Sequence, residues 1–239
     1  MKLQTYIFNW PGTLDTTTKI YNQIEDSVVI NSGDHDIVAR CHSIGTESYF
    51  SAQFRKMLSL HDDESVILHI QGDTRYDDWN GLIRDAKHYM SKYTAGVYYP
   101  VVTNTSWTPD KMAKTKSSAQ DSNITYVADG DETVWFIHPR VIKYFKSNNL
   151  IEILQGNKYG FGWDTIFCAI CHHNNLPVIR DNNHVVDHPK SKGYDFHDAW
   201  VEFKHVMYSL PDHLHVFADM IHNNHKKDDL KNHVDKYCI

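Results

Sequence analysis

The stretch Ser65–Thr74, SVILHIQGDT, is the most informative about the fold of this chain. Its apolar run of Val, Ile and Leu is typical of a strand buried on both faces, as in a parallel sheet. Because an apolar layer cannot hold an unpaired carboxylate, we expect Asp73 at the carboxyl end of this strand, where open α/β sheets bind ligands. A helix follows at once, with Asp77 as its predicted N-cap. This order indicates a metal or phosphate ligand at Asp73, and an Asp that only caps the turn fits the segment equally well.

The first half of the chain alternates strand-like and helix-like runs. The predicted strands are Gln4–Phe8, Ser27–Asn31, Ser65–Ile70 and Gly96–Val102. The predicted helices are Thr16–Ile24, Glu47–Leu60 and Asp77–Lys92. Such alternation favours an α/β fold, a mostly parallel sheet with helices on both faces.

The second half is organised differently. Asn104–Asn123 is rich in Ser, Thr and Lys without periodicity, which predicts a loop. Ile124–Ala128 and Thr133–Ile137 flank Asp129-Gly130-Asp131, which predicts a hairpin with a plain turn. Amphipathic helices are then expected after Pro139, around Phe196–Met207 and after Pro211.

Composition narrows the class of protein. The chain has 239 residues and a net charge of −6, which gives no electrostatic case for tight, non-specific binding of nucleic acid. No apolar run has the length of a membrane span, and the polar N-terminus lacks a signal-peptide core, so we expect a cytoplasmic protein. Four cysteines form no disulfide framework, and the Cys168–His172 pattern is interpreted as helix packing. The many histidines of the last helices are interpreted as a solvated face.

Three short motifs carry the chemistry. They are Gln71-Gly72-Asp73, the glycine-rich and aromatic YGFGWD run Tyr159–Asp164, and the loop Val185–Gly193. In this order and spacing they resemble nucleotide-sugar-dependent glycosyltransferases of the GT-A fold, especially the inverting family-two type. The resemblance covers roughly residues 4–193. It divides the chain into a GT-A domain, residues 1–194, and C-terminal helices packed on it, residues 195–239.

The resemblance implies a role for each motif. Asp73 and His188 would hold a divalent cation, Mn²⁺ or Mg²⁺, against the sugar nucleotide's diphosphate. Asp164 would be the catalytic base that takes the acceptor's proton. Lys190 and Lys192 would hold phosphate oxygens.

One departure from the family pattern concerns the metal. Gln71 stands where the family's Asp-x-Asp motif has its first acid. The amide oxygen of Gln71 could still coordinate the cation or bind the ribose, but the metal affinity should be lower.

The nucleoside and acceptor ends are assigned from the same fold. Base and ribose lie across the ends of its first two strands, which nominates Asn9, Trp10 and Asp34, with Arg55 from the following helix. For the acceptor, Trp163 and Trp107 are the two tryptophans placed to stack on a ligand.

The sequence therefore predicts transfer of a hexose or pentose from a nucleoside diphosphate sugar to a hydroxyl. A DNA acceptor, as in phage enzymes that glycosylate hydroxylated cytosine, could be bound by Trp107 with Lys111, Lys114, Lys116, Lys143 and Lys146. A glycan, a lipid-linked sugar or a protein are the other acceptors. Two alternatives stay open. One is a non-catalytic nucleotide-binding protein of the same fold, and the other is a metal-dependent phosphoester hydrolase with Asp34 as second carboxylate.

Overall fold

The computed structural model describes residues 1–46, 48–103, 122–153, 155–189, 195–223 and 226–237. Within them the strands are β1 Leu3–Asn9, β2 Val28–Asn31, β3 Cys41–Ser43, β4 Val66–Gln71, β5 Val97–Thr103, β6 Ile124–Tyr126, β7 Val134–Ile137 and β8 Val178–Asp187. The helices are α1 Leu14–Gln23, α2 Phe50–Leu60, α3 Trp79–Tyr93, α4 Pro139–Ser147, α5 Leu150–Ile153, α6 Trp163–His173, α7 Phe196–Ser209, α8 Asp212–His222 and α9 Lys227–Val234.

The strands form one eight-stranded sheet in the order β3-β2-β1-β4-β7-β5-β8-β6. β1 pairs in parallel with β2 and β4, and β5 pairs in parallel with β8. β7 runs antiparallel between β4 and β5, and β6 is an antiparallel edge strand on β8. The predicted α/β class with a mostly parallel sheet is therefore confirmed.

Strand β4 lies in the middle of this sheet. Five of the six residues of β4 are buried, because apolar side chains cover both faces. On one face Leu68 and Ile70 join a cluster that includes the buried side of α3; on the other Ile67 joins a cluster built on α2, α4 and α6. The alternation of side chains along a strand divides the apolar run between these two layers.

The local details of two helices differ from the sequence prediction. The N-cap of α3 lies one residue later than expected: it is Asp78 rather than Asp77, and the Asp78 Oδ1 accepts the Gly81 N–H at 2.9 Å. α2 begins at Phe50 rather than at residue 47. The loop expected over 104–123 lies outside the described residues except for its last two positions.

The predicted hairpin around Asp129-Gly130-Asp131 is wrong. β6 does not pair with β7: β6 pairs with β8, whereas β7 pairs with β4 and β5. The segment between β6 and β7 therefore crosses from the edge of the sheet to its centre. It brings acidic side chains to the carboxyl end of β4, with consequences described below.

The C-terminal helices pack against the same buried cluster as α6. Val206, Leu214 and Ile221 are among the members that α7 and α8 contribute. Cys168, Cys171 and His172 are buried in α6, so their interpretation as helix packing is confirmed. In the described residues, none of the helices is both long enough and apolar enough to cross a membrane. The division at residue 194 stays a prediction.

Candidate active site

The turn after β4 fixes the position of Asp73. The Gly72 N–H donates to the Phe8 carbonyl at 2.8 Å, and the Thr74 N–H donates to the Gln71 carbonyl at 3.0 Å. A Cβ at position 72 would lie 2.3 Å from the Thr17 Oγ1, so only glycine fits without a local shift. The turn leaves Asp73 at the carboxyl end of the sheet, 7% exposed, as the sequence predicts.

His188 meets Asp73 because two chain segments run side by side. Arg75 and Asp187 exchange backbone hydrogen bonds of 2.8 and 3.0 Å, which holds the residues after Asp73 against the end of β8. The Nε2 of His188 then lies 3.3 Å from the Asp73 Oδ1. Burial acts to lower the pKa of His188, but the Asp73 carboxylate, with Asp131 and Asp187, outweighs it and the pKa is raised.

Asp129, Asp131, Glu132 and Asp164 form a second group, here called the carboxylate cluster. A hydrogen bond of 2.9 Å from the Gln71 N–H to the Thr133 carbonyl aligns the start of β7 with the end of β4. The charge of Asp131 acts on His188 and also on Asp164. Asp131 is therefore close enough to influence both His188 and Asp164.

Asp164 opens α6. Gly162, at the N-cap, has a φ of +98°, a left-handed conformation that favours glycine. The Thr165 N–H donates to the Asp164 Oδ1 at 2.7 Å. Burial raises the pKa of Asp164 well above its usual value, and the charges of Asp129 and Asp131 add to this effect. The carboxylate is therefore a stronger base than an exposed aspartate.

Glu132 has the most exceptional environment in the cluster. Its Oε2 is buried and makes no hydrogen bond in the structure. Burial raises the pKa of Glu132 well above its usual value, and Asp164 contributes the largest additional charge. Since burial also raises the pKa of Asp129, the cluster gathers carboxyl groups whose charged forms would be stabilised by a cation or by hydrogen-bond donors on a ligand.

His222 of α8 reaches this site from the C-terminal region. Its Nε2 lies 2.7 Å from the Thr165 Oγ1, and the imidazole partly offsets the rise in the pKa of Asp129 that burial causes. The interpretation of the C-terminal histidines as a solvated face is therefore wrong for His222. The sequence carries no signal for this contact, because 57 positions separate it from Thr165.

The residues nominated to bind the nucleoside are Asn9, Trp10, Asp34, Arg55 and Gln71. The Asn9 side chain bridges the ends of β1 and β2, since its Nδ2 donates to the Asn31 Oδ1 at 2.7 Å and its Oδ1 accepts from the Thr13 Oγ1 at 3.0 Å. Trp10 follows directly and is partly buried, as are Arg55 on α2 and Gln71 at the end of β4. Asp34 is exposed in the loop after β2.

The acceptor prediction for Trp163 is wrong. Trp163 is 0% exposed, its indole N–H donates to the Ser51 Oγ at 2.9 Å, and its ring lies 4.1 Å from that of Phe54. A ring enclosed in this way has no face free to stack on a ligand. Trp107, Lys190 and Lys192 lie outside the described residues, so their roles stay predictions.

Asp85, Asp181 and His184 form another group of side chains that could hold a metal ion. Asp85 lies on α3, and Asp181 and His184 lie on β8. The sequence reasoning missed this group, because neither segment resembles a known metal motif.

The fold is of the GT-A type, as the similarity to the following solved structures shows. A structure of TarS from S. aureus superposes with a TM-score of 0.58 at 11% identity, covering 92% of this chain and 42% of that one. A second TarS structure, of residues 1–349, gives a TM-score of 0.57 at 12% identity and covers 98% and 70%. A structure of GalNAc-T7 with UDP, GalNAc and Mn²⁺ gives a TM-score of 0.59 at 8% identity and covers 99% and 54%.

These similarities show the fold, and the chain spans less than half of the longer TarS structure. No family model matches the sequence, and no curated protein matches it.

Proposed function

We propose that this protein is a glycosyltransferase that moves a sugar from a nucleoside diphosphate sugar to an acceptor hydroxyl. The observation that carries the proposal is the contact between the two predicted metal ligands, Asp73 and His188, at the carboxyl end of the sheet, with Asp131 near enough to act electrostatically on His188 and on the predicted base Asp164. Solved structures of this fold include one with UDP, GalNAc and Mn²⁺.

The Asp73–His188 pair has the donor set for a divalent cation. The Asp73 Oδ1 is a buried oxygen without a regular hydrogen bond, and an imidazole nitrogen lies 3.3 Å away. Two ligands bonded to one cation at about 2.1 Å are separated by about 3.0–3.5 Å, so the pair needs little rearrangement. When bound, the cation would neutralise the charge that develops on the departing diphosphate. Carboxylate oxygen and imidazole together suit Mn²⁺ better than Mg²⁺.

Asp164 would act as the base. An acceptor hydroxyl is a weak nucleophile, so a carboxylate must take its proton as the oxygen attacks the anomeric carbon. The Thr165 N–H orients the carboxylate through a bond of 2.7 Å. Attack assisted by a base on the face opposite the leaving group would invert the configuration at the anomeric carbon.

The nucleoside would lie across the ends of β1 and β2. Asn9 holds these two ends together through Asn31, so its contribution would be to shape the site. Trp10, Arg55 and Gln71 would provide the contacts, and Lys190 and Lys192 would hold the diphosphate.

Four acceptor classes are to be tested: hydroxylated bases in DNA, glycans, lipid-linked sugars, and proteins. The carboxylate cluster would repel a phosphate backbone close to Asp164, the proposed catalytic base. A DNA acceptor would therefore have to present a flipped nucleotide to Asp164 while its backbone stays away from the cluster.

The test is a transfer assay on the full chain. A panel of nucleoside diphosphate sugars is incubated with Mn²⁺ and with an acceptor of each class, and products are detected by mass spectrometry. We expect one donor to give a product whose mass rises by one glycosyl unit, with the free nucleoside diphosphate in equal amount. The Asp164→Asn variant, prepared in the same way, is the negative control because it lacks the proposed base. Binding of a nucleotide without transfer to any acceptor would favour the non-catalytic alternative, and release of inorganic phosphate without transfer would favour a hydrolase.

A further inference from the structure

Asp85, Asp181 and His184 converge on one point away from the carboxylate cluster. The His184 Nε2 lies 3.0 Å from the Asp85 Oδ2 and 3.6 Å from the Asp181 Oδ2. All three ligand atoms lie within 4.8 Å of one another. Asp181 is 0% exposed and His184 6%, so the group is enclosed on most sides.

These separations fit three ligands of one metal ion. Zn²⁺ and similar ions bind nitrogen and oxygen at about 2.0–2.2 Å. Neighbouring ligands around such an ion are then about 3.0–3.5 Å apart, close to the 3.0 and 3.6 Å found here. A cation at the centre would need only small side-chain movements.

A set of outer contacts holds each ligand in orientation. The Tyr76 hydroxyl lies 2.5 Å from the His184 Nδ1, which directs the Nε2 toward the two carboxylates. The Tyr98 hydroxyl donates to the Asp181 Oδ2, and the Asn183 N–H donates to its Oδ1 at 2.8 Å. Partners of this kind fix the ring orientation and raise the basicity of metal ligands.

Strand β8 is irregular after Asp181, and this irregularity brings the side chains of Asp181 and His184 to the same point. Pro100 is in register with Asp181, but the next residue of β5, Val101, is in register with Val185. Three residues of β8, Asn182 to His184, are therefore extra relative to β5. Without this bulge, the side chains of positions 181 and 184 would point to opposite faces of the sheet.

The charges of the group require a positive partner. The buried carboxylate of Asp181 and the half-buried carboxylate of Asp85 face a single imidazole, and Arg84, which is exposed, pairs with the other oxygen of Asp85 at 3.0 Å. A metal ion bound by the three side chains would balance these carboxylates. The structure allows two states, a hydrogen-bonded triad and a metal-bound triad.

We infer that Asp85, Asp181 and His184 bind a divalent transition-metal ion, separate from the ion expected at Asp73 and His188. The ion joins α3 to the bulge of β8. Because Tyr76 lies three positions after Asp73, and His184 four positions before His188, the ion would also brace the two segments that carry the candidate active site.

The experiment uses the full chain with Asp73→Asn and His188→Gln, which remove the candidate ligands of the active site. Binding of Zn²⁺ to this double variant is measured by isothermal titration calorimetry at pH 7.5. We expect one site, and a higher melting temperature with Zn²⁺ than with EDTA. Adding Asp85→Asn or His184→Gln should weaken that site by at least about 100-fold, and adding Tyr76→Phe by about tenfold.

His88→Gln is the matched control, because His88 is exposed on the same helix. With 17 histidines in the chain, this control separates the triad from general binding to surface imidazoles. The inference is overturned if the double variant binds no Zn²⁺, which would leave a hydrogen-bonded triad only, or if Asp85→Asn leaves the affinity unchanged. Because Asp85 is 25% exposed, we expect the Asp85→Asn variant to fold. This variant therefore tests the metal site even if His184→Gln does not fold. Neither result depends on the transfer assay.

Discussion

Replacing Asp164 with Asn should abolish most of the turnover while leaving the fold intact. The amide oxygen of Asn can still accept the Thr165 N–H that now bonds the Asp164 Oδ1 at 2.7 Å. The amide cannot take up a proton, so the variant loses only the base. General base catalysis contributes about 10²- to 10⁴-fold, so we expect kcat to fall by that factor. The loss corresponds to about 3–5 kcal/mol of transition-state stabilisation.

The pH dependence of turnover gives an independent check on the same residue. Burial, with the charges of Asp129 and Asp131, raises the pKa of Asp164. Because the base must be ionised to accept a proton, kcat/KM should rise with pH through this raised pKa. Asp129→Asn removes the largest neighbouring charge, so it should move the acidic limb of the profile to lower pH. Asp164→Asn should have no such limb.

The assay is the initial rate of transfer from the donor identified above, measured between pH 4.5 and 9 for the wild type and both variants. Circular dichroism and thermal melts verify that each variant is folded. A folded Asp164→Asn protein that turns over within threefold of the wild type would refute the assignment of the base. An acidic limb that stays in place in Asp129→Asn would refute the electrostatic explanation of its pKa.

Three further predictions concern stability. Gly72→Ala places a Cβ 2.3 Å from the Thr17 Oγ1 and 2.6 Å from the Phe8 carbonyl, so it should lower the free energy of unfolding by about 1–3 kcal/mol in urea titrations. Glu132→Gln should raise the melting temperature at pH 8 but not at pH 4: burial raises the pKa of Glu132 above 4.5, so ionisation favours the unfolded wild type as pH rises. Trp163→Phe removes the indole bond to Ser51 and should cost about 1–3 kcal/mol of stability, with no change in KM for the acceptor.

The sequence predicts the fold wherever the pattern is local. The apolar run before Asp73 predicts a buried central strand, and the alternation around it predicts a parallel sheet. Asp73 at the carboxyl end of that strand follows from the cost of burying a charge. For His188 the family resemblance nominates the residue, while the contact with Asp73 depends on the pairing of Arg75 with Asp187, which no local pattern contains.

The errors arise where distant segments decide the structure. Asp129-Gly130-Asp131 has the composition of a hairpin turn, but the strands on either side pair with other strands, and strand pairing across the sheet cannot be read from local periodicity. Trp163 follows a glycine-rich turn and would suit a binding site, yet Phe54 from α2 encloses its ring. The contact of His222 with Thr165 depends in the same way on the packing of α8 against α6.

The most direct test of the central claim is a thermal melt of the full chain with a panel of nucleoside diphosphate sugars, first with Mn²⁺ and then with EDTA. A ligand at about 100 times its dissociation constant adds about 2.7 kcal/mol to stability. For a chain of this size that is about 5–10 °C. Our account predicts such a shift with at least one sugar nucleotide, lost in EDTA and in Asp73→Asn. It is contradicted if no donor shifts the melt, or if the shift persists unchanged in EDTA and in Asp73→Asn.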